Sequence, residues 1–208
     1  MISKPATLLS LLLFVFPISL WANNVAFQTT GGQIVSSGST LSVTSSSVVS
    51  LSGFNGAGLM SGNLGTVSFS TGTLLSGSIA RGGTFAAGGS FSLLGNGSNG
   101  LPNGVIFNGQ FNGPVTWTAT FMPNADAGRG AWYYSLSGSV AGSLSTGQNL
   151  SGRVQFSTRD VPRGEEFSRS ANLGNGAGAV TVPEPGTLGL LGSGLFAVAL
   201  LVRRRMSA

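Results

Sequence analysis

Along the segment Val115-Thr116-Trp117-Thr118-Ala119-Thr120-Phe121, apolar side chains and threonine alternate without a break. That is the period-two pattern of a strand with one dry and one wet face. It predicts Val115, Trp117, Ala119 and Phe121 buried, with Thr116, Thr118 and Thr120 as a hydroxyl ladder outside. A second candidate strand, Val105 to Phe111, lies just upstream, and the intervening Asn112-Gly113-Pro114 predicts a hairpin turn. After a loop with Pro123, Asn124, Gly128 and Gly130, alternation resumes: Trp132, Tyr134, Leu136 and Val140 on one face, Tyr133, Ser135, Ser137 and Ser139 on the other. Gly152 to Thr158 continues it, with Val154 and Phe156 inward and Arg153 and Gln155 outward.

The N-terminal half is written more faintly. Leu41 and Val43 alternate with Thr40, Ser42 and Thr44, and Val67, Phe69, Leu74 and Ile79 mark further short strands. Phe85, Phe91 and Leu93 fall among glycine pairs, so this region reads as loop-rich. Partial disorder over Gly53 to Gly100 is the alternative, opposed by the regular spacing of Phe and Leu. Consecutive strands, short loops and no convincing amphipathic helix predict an all-β domain over residues 23–171, an antiparallel sandwich or barrel-like meander. A β-solenoid is the alternative, without a fixed repeat to support it. Mixed charges from Arg159 to Arg169 predict a solvated edge strand or loop. The Gly/Asn/Ala-rich residues 172–181 predict a flexible linker.

Two apolar runs at the chain ends break the alternating pattern and predict helices in a membrane. Residues 1–22 have the layout of a secretory signal peptide: Lys4, an apolar core from Leu8 to Phe16, Pro17, and Ala22 as the last residue before cleavage. Leu20 stands where a small residue is preferred, so cleavage at Ala26 and an uncleaved anchor are the alternatives. At the other end Leu188 to Val202 holds no charge and spans about 22 Å as a helix, short of the ~30 Å hydrocarbon core. Taken from 187 to 202, it crosses with local thinning, aided by Arg203, Arg204 and Arg205 snorkelling to the headgroups. Lys4 and these arginines set one orientation, with the body between them exported. Before the helix, Pro183 and Pro185 hold Glu184 in an extended segment that a processing enzyme can grip.

Val182-Pro183-Glu184-Pro185, the short transmembrane segment and the terminal arginines together resemble the PEP-CTERM sorting signal of exported bacterial proteins. The resemblance covers residues 182–208 only. It implies passage through the general secretion machinery, an inner-membrane-anchored intermediate held by the C-terminal helix, and recognition and cleavage near the motif by exosortase. It further implies a Gram-negative producer and a final place at the cell surface or in an extracellular matrix associated with exopolysaccharide and biofilm.

Composition narrows the chemistry of the body. Lys4 and Arg203 to Arg205 account for four of the ten basic residues, leaving six against five acids. The body is nearly neutral, the high isoelectric point reflects membrane topology, and nucleic acid is not an expected partner. Cysteine and histidine are both absent, which excludes disulfides, Cys/His zinc sites, Cys-His pairs and Ser-His-Asp triads. Asn124 to Gly128 looks like half a calcium loop but supplies one carboxylate, Asp126. A two-carboxylate glycan hydrolase would have to draw two acids from Asp126, Asp160, Glu165 and Glu166 into one cleft. The expectation is therefore a structural or adhesive protein without catalytic, cofactor or metal site. A polysaccharide-binding module is the alternative, with Tyr133 as its exposed aromatic contact.

Overall fold

The computed structural model describes residues 24–159, 161–162, 167 and 169–181. Expectations for the signal peptide with Lys4 and Ala22, for the sorting motif Val182 to Pro185, for the C-terminal helix and for Arg203 to Arg205 lie outside these residues, as do Asp160, Glu165 and Glu166. No helix among the described residues is long and apolar enough to cross a membrane.

In chain order the strands are β1 (Asn24–Thr30), β2 (Gln33–Ser36), β3 (Leu41–Ser52), β4 (Met60–Ser70), β5 (Leu74–Ser78), β6 (Gly82–Phe85) and β7 (Gly88–Asn96). They continue as β8 (Asn103–Phe111), β9 (Val115–Met122), β10 (Ala131–Leu144), β11 (Asn149–Thr158), β12 (Val161–Pro162) and β13 (Ser170–Thr181). Every ladder is antiparallel, in one sheet, which sets aside the solenoid alternative. The ladders close a circuit: β1 pairs β3, then β4, β7, β8, β10, β11 and β13 follow, and β13 pairs β1 again.

Inside the circuit lies a phenylalanine cluster. Phe91 of β7 has ring neighbours at 6.1 to 6.5 Å on β1, β4, β8 and β11, namely Phe27, Phe69, Phe107, Phe111 and Phe156. Phe69 and Phe156 come from strands on opposite sides of the circuit, yet their centroids are 4.7 Å apart. The interior is thus a packed core, and opposite walls touch through their rings.

Such close walls require gaps for the rings, and β13 supplies them. A Cβ at Gly176 would collide with the Phe156 ring and the Thr29 hydroxyl, and one at Gly178 with the Phe27 ring. This is why residues 172–181 look like a linker and are not one: the glycines make room for aromatic neighbours on β1 and β11. Both edges of β13 are paired, and the flexible-linker expectation is overturned. Phe85, Phe91 and Leu93, expected in a loop-rich region, are core residues of β6 and β7. Part of the charged stretch is also packed, since β12 pairs with Ala131 and Trp132 and Phe167 is buried.

The expected hairpin at Asn112-Gly113-Pro114 is a second correction. β8 and β9 do not pair with each other; they follow one another along the same edge of β10, opposite Val140–Leu144 and Ala131–Ser137 respectively. Gly113 is not among the positive-φ glycines, which a two-residue type I′ turn needs, and the Asn112 N–H donates to the Ser139 carbonyl at 3.0 Å, carrying the ladder onward. Pro114 has no N–H to give and sits at the kink. Phe121, expected buried, is 36% exposed near the end of β9, where it leans on Trp132 at 5.1 Å.

One end of the core is sealed by aromatic side chains with polar tips. Trp117 and Tyr134 stack at 5.2 Å and Phe167 packs against both. The Trp117 indole N–H donates to the Ile79 carbonyl at 2.8 Å and the Tyr134 hydroxyl to that of Ala80 at 2.9 Å, fastening the β5–β6 turn. The same hydroxyl accepts from the Phe167 N–H at 3.1 Å.

Two stability measurements check this account. Phe91→Ala removes the hub of the cluster and should lower the unfolding free energy by about 3–5 kcal/mol in urea denaturation. Thr29 is buried with its hydroxyl unpartnered, so Thr29→Val should leave stability unchanged or raise it by roughly 1 kcal/mol.

Candidate functional site

The outer face of the closed sheet is built from the positions that alternate with the core. Register places Thr84, Thr116, Ser137, Gln155, Ala177, Gln28, Ser50 and Ser61 side by side across eight strands. At about 4.8 Å per strand this row is roughly 34 Å long along the surface. All its members but Ala177 carry a hydroxyl or amide. The adjacent row runs Ser139, Arg153, Ala179, Ala26, Ser52.

At Ala177 and Ala179 of β13 and Ala26 of β1 the rows reach their smallest side chains, and the surface sinks. A depression of about 760 Å³ lies over Ala26, Ala177 and Ala179, with Arg153 and Gln155 on one wall and Gln28, Ser50 and Ser52 on the other. A second, of about 390 Å³, shares Gln28, Gln155 and Ala177 with it and extends to Thr30, Ser157 and Asn175. A third, of about 410 Å³, continues from Thr30, Ser157 and Asn175 to Tyr133 and Arg159. Together they form one shallow trough along the outside of β13, about 13 Å from Ala179 to Asn175. Arg153 and Arg159 line its two ends, and no carboxylate is among the described lining residues. Both arginines project from exposed positions on or beside β11.

Among the aromatic residues considered for sugar stacking, Trp117 and Tyr134 are buried with their polar atoms committed to the β5–β6 turn. Trp132 packs partly buried against the core. Tyr133 is half-buried and lines the Arg159 end of the trough, so the expected contact residue sits in the candidate site as one wall among several. Asp126 occupies the turn between β9 and β10, at φ 51°, and lines none of the three depressions. No group of three or more metal-ligating side chains forms among the described residues. Gln28, Gln155 and Arg153 were not distinguishable as site residues in the sequence, where outward polar positions are plentiful.

The pairing of β1 with β13 also fixes the chain ends. Asn24 lies opposite Thr181 in that ladder, so the segments that precede and follow the domain leave it from adjacent points. The family model of the PEP-CTERM protein-sorting motif matches residues 181–205. It begins on the last residue of β13. No curated protein and no solved structure matches the chain. The C-terminal region is therefore a sorting motif of the PEP-CTERM type, which implies an exported protein with a membrane-anchored intermediate and exosortase processing.

Paired residues of an antiparallel ladder have Cα atoms about 4.5–5.5 Å apart, within the range a disulfide bridges. Asn24→Cys combined with Thr181→Cys should cross-link in an oxidising compartment, read as a mobility shift on non-reducing gels. The native chain has no cysteine to compete. A closed loop of this length should add about 4–5 kcal/mol of stability in the chain-entropy model.

Proposed function

We propose that this chain is a surface or extracellular-matrix component of a Gram-negative bacterium, delivered by the general secretion machinery and sorted by exosortase. Its barrel-like β domain plays a structural or adhesive role linked to exopolysaccharide and biofilm, without catalysing a reaction. The observation that carries the reading is the match of the sorting motif to residues 181–205, abutting the last strand of the domain. The fold supports it physically. A closed antiparallel circuit with an aromatic core leaves few strand edges for unwanted pairing, an advantage for a secreted chain that holds itself together without disulfides. A hydroxyl- and amide-covered exterior hydrates well and offers many weak hydrogen bonds to a polyhydroxylated matrix.

The adjacency of residues 24 and 181 adds an orientation. While both membrane-directed segments remain attached, the domain is tethered at one end, with the Ala179 end of the trough near that tether. Polysaccharide binding is the second reading, favoured by the trough and its Tyr133 wall.

Mass spectrometry of the protein recovered from a native producer, with and without its exosortase, tests the main reading. The expected result is mature termini near Ala22 and Pro183, with the longer form retained at the membrane when the enzyme is missing. An intact C-terminus in both strains would replace it with a plain membrane anchor.

A further inference from the structure

We infer that the trough along β13 binds an extended acidic polysaccharide, with Arg153 and Arg159 holding its carboxylates and Gln28, Gln155 and the flanking serines its hydroxyls. The inference rests on the surface-protein reading for the source of the ligand, and on the trough alone for its chemistry.

The trough is long, open and shallow, a shape that takes an extended polymer. Its walls carry side-chain amides and hydroxyls that both donate and accept, matching the dual character of sugar hydroxyls. Among the described lining residues the charges are of one sign, both guanidinium, the group whose planar fork fits a carboxylate. Other polymers match less well. A peptide adding as a strand needs a free sheet edge, and β13 is paired on both of its edges. Single-stranded nucleic acid needs a dense basic track and a series of stacking rings, where this trough has two arginines and Tyr133. A lipid chain needs an enclosed apolar cavity, and this depression is open, with Leu59 and Pro114 set among alanine, glycine and many polar side chains.

Carboxylate recognition by guanidinium also gives the site a selectivity. A neutral glycan keeps the hydroxyl contacts and loses both charge-assisted ones, so the trough ranks acidic above neutral chains. Because the arginines are solvent-exposed, that ranking weakens as salt rises.

Titration calorimetry on the full-length chain in detergent micelles, with polygalacturonate as the acidic probe and dextran as the neutral one, tests this. Polygalacturonate should bind more tightly than dextran, and the difference should shrink with added salt. Arg153→Gln and Arg159→Gln should each weaken polygalacturonate binding by about three- to tenfold and leave dextran unaffected. Ala177→Trp, an exposed position that fills the floor, should abolish binding of both, while circular dichroism reports an unchanged fold. Equal affinity for the two glycans, indifference to both arginine substitutions, or no binding of either glycan overturns the inference. Self-association lost on Arg153→Gln would assign the trough to a second copy and overturn it too. A chain that fails these titrations but is trimmed normally in the producer leaves the sorting reading standing. A chain that binds but is never trimmed does the reverse.

Discussion

The last strand pairing back onto the first is the contact on which the rest of the molecule depends. Without β13 the ladder from β1 to β11 would be an open sheet with two long unpaired edges and a half-covered aromatic face. With it, β1 and β11 each gain a second neighbour and the phenylalanine rings of opposite walls meet. Closure joins the most distant parts of the chain, so its entropic cost is repaid only when the whole domain is available. For an exported protein this couples completion of the fold to completion of translocation, and the strand that closes the circuit is the one from which the sorting motif continues.

The same strand shows how glycine content can serve packing. Glycine weakens a strand in isolation, by roughly 0.5–1 kcal/mol against alanine. Gly176 and Gly178 offset that cost because any side chain there would displace Phe156 or Phe27. On the outer side of β13 the small residues Ala177 and Ala179 have the opposite consequence, leaving a trough between longer neighbours. A single run of small residues thus shapes both the core and the candidate binding surface. Asn24 pairs with Thr181, so the chain enters and leaves the domain at adjacent points, next to the Ala179 end of that surface.

Much of the fold was legible because alternation is a local property. Trp117, Tyr134, Leu136, Val140, Val154 and Phe156 are inside as their spacing requires, and Thr116, Ser137, Arg153 and Gln155 are outside. The two larger misreadings concern partners. Asn112-Gly113-Pro114 has turn chemistry, but the chain continues through it because β10 is long enough to pair with both flanking strands. Residues 172–181 have linker composition, yet rings contributed from β1 and β11 make glycine the fitting residue. Phe121 obeys the alternation and still reaches solvent, since it stands near the strand end.

By itself the sequence determined the all-β class, the face each clear strand buries, the absence of histidine and cysteine chemistry, and the C-terminal sorting motif. These follow from residue type and near-neighbour spacing, which a linear chain carries in full. The tertiary structure alone decided the closed order of strands, the meeting of Phe69 with Phe156, and the assembly of Gln28, Arg153, Gln155 and Ala177 into one trough. Those depend on which strands pair across long sequence separations, a choice made by the complementarity of whole faces and not by any segment alone.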